Sequence, residues 1–338
     1  MTPLRFLFIF IFLFSPSAYS NPFHQLDREI AEVKTSENIS ALAYGIVDDR
    51  KVLWHRAHGH HSVDQRRPIG LDSLFRIGSI TKSFTALAAL LLEERSPFST
   101  KTAVKDILPS PPFINEWPKH PITTEMLLEH TAGFSDMSKL EFDYPKRLSL
   151  EAAFLLNPQS RKTIWQPGLH SSYSNSGAGV VAAIIEAVSH MRFEQYLDEL
   201  IFTPLGQNSA TLSPPEPLYK HLVRGYDRDG ETPIPYWHQL YPAFGALNIS
   251  TSDMLKYAQV LLSDGRYSGK QIFPEQVIAR LTQVTTGLGR TIGLEYGYAK
   301  GLYHFQRQGV TFYGHGGDAD GYLSFLAFSK KINRAYFI

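Results

Sequence analysis

The chain reads as an α+β protein: an antiparallel sheet built from both chain ends and flanked by helices, with a mainly helical insertion between them. Three observations lead there. Apolar residues alternate on either side of Asp48-Asp49-Arg50, which is a hairpin signature. From about Lys101 to Gly287, prolines and helix-period apolar patterns dominate. After Gly293 the stretches YAKGLYHF, VTFYGHGG, GYLSFLAFS and INRAYFI are short, aromatic and β-branched, with Gly or polar breaks. Strands, then helices, then strands is the order that one sheet assembled from both ends produces. The expected division is a sheet part at about 21–100 plus 288–338 and an insertion at about 101–287, together a single unit.

The elements follow in chain order. MTPLRFLFIFIFLFSPSAYS has Arg5 in a short n-region, an apolar run from Phe6 to Phe14, a break at Ser15-Pro16 and a small-x-small site at Ala18-Tyr19-Ser20. That pattern predicts a signal peptide over 1–20, cut near Ser20, and a secreted or periplasmic product. The apolar run is about half of the roughly 20 residues a membrane span needs. No later stretch is long and apolar enough, so no stable span is expected after cleavage. His24 to Thr35 predicts a helix. Ile77-Gly78-Ser79 leads into the long apolar helix of TKSFTALAALLLEE. ITTEMLLEHTAGF predicts a helix capped at Thr123 and closed near Gly133. GAGVVAAIIEAVSH predicts another. FEQYLDELIFTPLG predicts a third, ended by Pro204. STSDMLKYAQVLLSDG predicts a fourth, with N-caps offered by Ser250 to Ser252 and a C-cap by Gly265. The chain then stops at Arg334-Ala335-Tyr336-Phe337-Ile338, within or just after a strand. The expectation there is a truncated C-terminus that leaves a sheet edge or an apolar face uncovered.

Composition narrows the function. Of 338 residues, 43% are hydrophobic, which is ample for a sizeable core. Lys plus Arg number 33 against 32 Asp plus Glu, with no basic stripe, so a nucleic-acid partner is not expected. There is no Cys, which excludes cysteine nucleophiles, thiolate metal sites and a thioether lipid anchor.

Three clusters carry chemistry. Ser79 and Lys82 lie three apart at a helix start, so their side chains can meet. Serine is a poor nucleophile until a base takes its proton, and lysine serves as that base only when burial holds it neutral. Free N–H groups at a helix start can stabilise an oxyanion. Tyr173-Ser174-Asn175 precedes the second apolar helix. A tyrosine hydroxyl near a cationic lysine can have its pKa lowered and relay protons, and the Asn175 amide can orient the lysine or hold a carbonyl. His315-Gly316-Gly317 ends a strand; the glycines would let a substrate approach the strand edge, and His315 could hydrogen-bond a ligand. Taken singly, each has a plain structural explanation: an N-cap with a snorkelling lysine, a turn with a half-buried tyrosine, and a Gly-rich β-turn. S-x-x-K, a short triplet ending in Asn, and a third motif on a late strand form the signature set of serine β-lactamases and penicillin-binding proteins. Here S-I-T-K, Y-S-N and H-G-G occur in that order and in those places.

From about Leu26 to the C-terminus the chain resembles the class C β-lactamase-related serine hydrolases. The resemblance is carried by LFRIGSITKSFTALAALLL, ITTEMLLEHTAGF, WQPGLHSSYSNSGAGVVAAIIEAV, FTPLG, ALNISTSDMLKYAQVLL and YGHGGDADGY. It implies that Ser79 is the acylated nucleophile, Lys82 its base partner, Tyr173 the proton relay and Asn175 its companion. It places His315 and Gly317 on the strand beside the substrate, and implies an oxyanion hole from the N–H groups of Ser79 and Asp318. It implies no cofactor and no metal. The third motif departs from K-T-G or K-S-G: Gly316 has no hydroxyl, and neutral His315 offers less charge for a substrate carboxylate. The expectation is therefore an exported esterase or D-amino-acid peptidase-like hydrolase with a small-molecule or peptide substrate, cell-wall material being one source. The alternatives are a β-lactamase or D-alanyl-D-alanine carboxypeptidase, and an inactive peptidoglycan- or ligand-binding pseudo-enzyme.

Overall fold

The computed structural model describes residues 22–142, 144–293 and 297–338. The predicted signal peptide lies outside them. Helix α1 (Pro22–Ser36) leads into a hairpin of β1 (Ala41–Val47) and β2 (Val52–Gly59). The remaining strands of that sheet come from the far end of the chain: β5 (Gly297–Tyr298), β6 (Tyr303–Arg307), β7 (Val310–Ala319), β8 (Tyr322–Ser329) and β9 (Arg334–Phe337). The order across this seven-stranded sheet is β2-β1-β9-β8-β7-β6-β5, and every pairing is antiparallel. The fold class is thus as the sequence predicts. The expected exposed edge is not where the chain stops. Phe337 faces Gly45 of β1 on one side and Leu326 of β8 on the other, so β9 is internal and the sheet edges are β2 and β5.

The first sheet segment ends in α2 (Thr81–Arg95), and the insertion supplies α3 (Thr124–Leu128), α4 (Asn175–Ser189), α5 (Thr251–Leu262) and α6 (Glu275–Leu281). Helix α5 packs on β1, β8 and β9. It can come that close because β1 carries Gly45, whose missing Cβ would stand 2.5 Å from Leu255 Cδ1. Helix α2 packs against α4 and α6 and is buried at every position from Thr81 to Leu92. A helix buried all round has no polar stripe, which is why TKSFTALAALLLEE shows so little amphipathic pattern. One continuous core runs from Val47, Phe328 and Phe337 of the sheet to Val180, Ile185 and Leu261 of the helices. Among the described residues no helix is long and apolar enough to cross a membrane.

Some local expectations shift. Thr123 does cap α3, accepting from Met126 N–H at 3.3 Å, but α3 ends at Leu128 rather than near Gly133. His130 takes a positive φ of 57°, and Thr131 N–H bonds Met126 O, so the chain turns there. Pro204 does not end the third predicted helix. The helical run from Phe193 passes through a wider turn at Asp198–Phe202 into Thr203–Leu205 and stops at Gly206 with φ +65°. Pro204 falls inside that continuous run, which ends one residue later at Leu205. Ser250 caps α5 as expected, accepting from Asp253 N–H at 3.2 Å. A strand pair went unpredicted: β3 (Leu74–Arg76) with β4 (Asn248–Ser250). It ties the insertion to the residues just before Ser79.

Candidate active site

The turn that presents Ser79 is set by its backbone. Gly78–Ile80 form one 3-10 turn ahead of α2, with Gly78 at φ +50°. Thr81 Oγ1 donates to Gly78 O at 2.7 Å and accepts from Leu247 N–H at 3.2 Å. Strand β7 lies against this turn. A Cβ on Gly78 would stand 2.7 Å from Asp318 N, and one on Gly317 would stand 1.9 Å from Ile77 O. The Asp318 amide therefore lies beside the Ser79 turn, as an oxyanion pair requires. Gly317 has a packing role that the sequence did not announce. It makes room for the backbone of the nucleophile turn, and Ser324 Oγ holds the same carbonyl at 2.9 Å. Gly317→Ala is expected to force the turn away from β7, costing about 1–3 kcal/mol in urea unfolding and lowering activity more than its stability loss accounts for.

Lys82 is 4% exposed. Its Nζ lies 2.7 Å from Asn175 Oδ1, 2.9 Å from Phe244 O and 3.0 Å from Ser79 Oγ. Burial holds its pKa well below the ordinary lysine value, with the Asp136 charge opposing. Asn175 Oδ1 and Phe244 O can only accept. In its neutral form the amine would direct both N–H bonds to them, and its lone pair would face Ser79. That is the arrangement a general base needs.

Tyr173 hydrogen-bonds Ser79, and Lys82 Nζ sits 4.8 Å from its ring centre. Burial raises its pKa above the ordinary tyrosine value, outweighing the hydrogen bond to Ser79, and the nearby Tyr303 and Asp136 push it the same way. Tyr173 is thus a protonated phenol beside Ser79. His315 is 3% exposed, and its Nε2 lies 3.0 Å from Tyr298 Oη while Nδ1 meets Gly316 O. A carbonyl only accepts, so Nδ1 carries the proton and Nε2 accepts from Tyr298. The ring is committed to its own strands rather than offered to a ligand. Burial brings its pKa down to about 3, so it is neutral, as the sequence predicts.

Ser79, Lys82, Tyr173, Asn175 and the third-motif strand therefore converge. Four neighbours were missed: Asp136, His130, Phe244 through its carbonyl, and Tyr298. Asp136 accepts from both N–H groups of Asn175. His130 accepts Ser174 N–H on Nδ1 at 3.2 Å and packs 4.2 Å from the Tyr173 ring and 4.3 Å from the Tyr298 ring, centre to centre. Burial keeps it neutral too. The EHTAGFSD stretch held the signal for two of these, in a His and an Asp flanking a glycine turn. Tyr241 lies in the core, fully buried against Phe154 and bonded to Arg161.

A helix-start serine with a buried lysine one turn on, a tyrosine hydroxyl on that serine, and a glycine-rich strand against its turn together define the serine-hydrolase scaffold of the β-lactamases and penicillin-binding proteins. The comparisons agree: the family model Beta-lactamase matches residues 26–338, and the chain belongs to that family. Curated relatives include penicillin-binding protein 4* of Bacillus subtilis, 27% identical over 63% of this chain and 50% of that protein. Another is penicillin-binding protein 4 of Amycolatopsis lactamdurans, 25% identical over 75% of this chain and 68% of that one. Protein flp of Staphylococcus aureus is 24% identical over 91% of this chain and 61% of its own length. The chain thus spans about half to two thirds of these relatives. Among solved structures, a penicillin-binding protein homologue from Pyrococcus abyssi superposes with TM-score 0.78 at 24% identity, covering 93% of this chain and 72% of that one. The D-alanine carboxypeptidase AmpC of Burkholderia cenocepacia superposes with TM-score 0.75 at 18% identity, covering 94% and 93%.

Proposed function

We propose that this chain is an exported serine hydrolase that acts on an ester or amide through a Ser79 acyl-enzyme. The observation that carries the reading is the placement of Lys82 Nζ, buried between two acceptor-only groups and 3.0 Å from Ser79 Oγ. Ser79 Oγ attacks the carbonyl carbon while its proton passes to Lys82. The N–H groups of Ser79 and Asp318 hold the tetrahedral oxyanion. Collapse breaks the bond to the leaving group, which departs with the proton delivered from Lys82 through the Tyr173 hydroxyl. Water then adds to the acyl carbon, giving its proton back along the same route, and Ser79 is released with the acid product. Export rests on the N-terminal sequence pattern.

Neutral His315, turned into Tyr298, leaves the third motif without the cation that holds a penicillin carboxylate. This favours carbonyl substrates lacking that group. A second reading, β-lactamase or D-alanyl carboxypeptidase, is favoured by what the Amycolatopsis and Burkholderia proteins are called. A fluorophosphonate probe tests the nucleophile: labelling of wild type that is lost in Ser79→Ala is expected, and a well-folded wild type that does not label would identify the pseudo-enzyme. Rates on nitrocefin, p-nitrophenyl butyrate and a D-alanyl peptide then separate the hydrolase readings.

The pH profile follows from the shifts. Lys82 must lose its proton to act, so kcat/KM rises along an acid limb set by its lowered pKa. Tyr173 is raised above its ordinary value of 10.0, so no alkaline fall should appear up to that pH. A steep alkaline loss below pH 9 in an enzyme that stays folded would count against a protonated Tyr173 in the working form.

A further inference from the structure

We propose that Asp136 is a positioning residue that locks the Asn175 amide in the one orientation leaving the Lys82 lone pair on Ser79. This rests on the acyl-transfer reading above. Asp136 Oδ1 accepts the Asn175 backbone N–H at 2.7 Å, and Oδ2 accepts Asn175 Nδ2–H at 2.9 Å. Oδ1 also accepts Met137 N–H at 2.8 Å. A carboxylate only accepts, so the nitrogen end of the amide must face Asp136. The oxygen end is thereby turned to Lys82, 2.7 Å away.

The reversed amide shows what the carboxylate prevents. An asparagine flipped by 180° occupies nearly the same volume, so shape alone does not choose between the two forms. Flipped, its oxygen would oppose Asp136 Oδ2, acceptor against acceptor. Its Nδ2–H groups would face Lys82. A neutral Lys82 would then accept from Asn175 with its one lone pair, and Ser79 would keep its proton. Asp136 removes that alternative from outside the catalytic group, without touching Ser79 or Lys82.

The same carboxylate supports Lys82 electrostatically. The titratable groups around the amine are Tyr173 and Tyr298, which burial keeps as phenols, His130 and His315, which burial keeps neutral, and Asp136. Of the causes acting on Lys82, burial lowers its pKa and the Asp136 charge raises it. The competing role for Asp136 is a cap on α4, since Asn175 is the first residue of that helix. A cap alone changes stability and leaves the protonation of Lys82 where it was.

The test uses Asp136→Asn and Asp136→Ala in the full chain. Asp136 is exposed, so neither opens a core cavity. The expected result is a fall in kcat/KM of about 10- to 100-fold, below the roughly 10²–10⁴ that a positioned base contributes. The loss should lie in kcat with KM little changed, and the acid limb should move to lower pH as the supporting charge is lost. Variants with wild-type melting, kcat/KM within about twofold of wild type and an unmoved acid limb would overturn the proposal. Its failure is separable from failure of the hydrolase reading. If wild type does not label with fluorophosphonate, the Lys82 pKa is read by NMR of isotope-labelled lysine, which needs no turnover. A lower value in Asp136→Asn than in wild type supports the positioning role, and equal values overturn it.

Discussion

Lys82→Met is expected to lower kcat/KM by about 10³- to 10⁴-fold, the upper range for loss of a general base, in a protein that still folds. Methionine nearly matches the lysine stem in volume, so the core around α2 stays filled. What disappears is the lone pair at 3.0 Å from Ser79 Oγ. The stability of the variant also has a sign. Lys82 has a folded-state pKa well below its unfolded value near 10.5, so between those two pH values the unfolded chain binds the extra proton. Wild-type stability therefore rises with pH through that window from this group, and the penalty is gone once pH exceeds the unfolded value. Lys82→Met should abolish that increment. Urea unfolding of both proteins between pH 7 and about 10 checks it, the upper limit being the ordinary lysine value. Identical slopes would mean that Lys82 is not desolvated in solution. Hydrolysis within tenfold of wild type would remove it from the base role.

Lys300→Met is expected to destabilise the protein by about 3–5 kcal/mol, as loss of one partner of a buried ion pair does. Lys300 is fully buried, and its Nζ bonds Glu129 Oε1 at 2.8 Å, Thr285 Oγ1 at 3.1 Å and Gln283 O at 3.2 Å. Glu129, 1% exposed, also accepts the backbone N–H groups of Thr285 and Thr286. Removing the lysine leaves that carboxylate buried without its cation. The effect should reach catalysis as well. Gly301, next in the chain, lies against Lys82, with its Cβ position 2.5 Å from Lys82 O. Denaturation at neutral pH and kcat/KM on one ester measure both. A loss under about 1 kcal/mol, the range of an exposed pair, would show that water reaches these charges.

Much of the site was legible because its signals are local. Ser79 and Lys82 meet through one helical turn. Tyr173 and Asn175 stand two apart at the start of α4. The order of the three clusters tied them together. The neighbours that tune them were not legible. Phe244 acts through a backbone carbonyl, which every residue has. Asp136 matters only because the turn after α3 returns to the start of α4. His315 looked free to bind a ligand because nothing near it in sequence announces Tyr298. A cationic lysine can lower a tyrosine's pKa, but burial raises that of Tyr173, and burial is set by the fold rather than by neighbours in sequence.

By itself the sequence determined the α+β plan, the strand, helix, strand order, and the serine, lysine, tyrosine and asparagine that meet. The plan and the order follow from periodicity, which acts over a few residues; that the four residues meet is what the motif set and the family resemblance implied. Tertiary structure decided that the last strand lies inside the sheet, that Gly317 serves the nucleophile turn, and which groups carry protons. Protonation depends on burial and on which acceptors surround a group, and both are set by segments far apart in the chain.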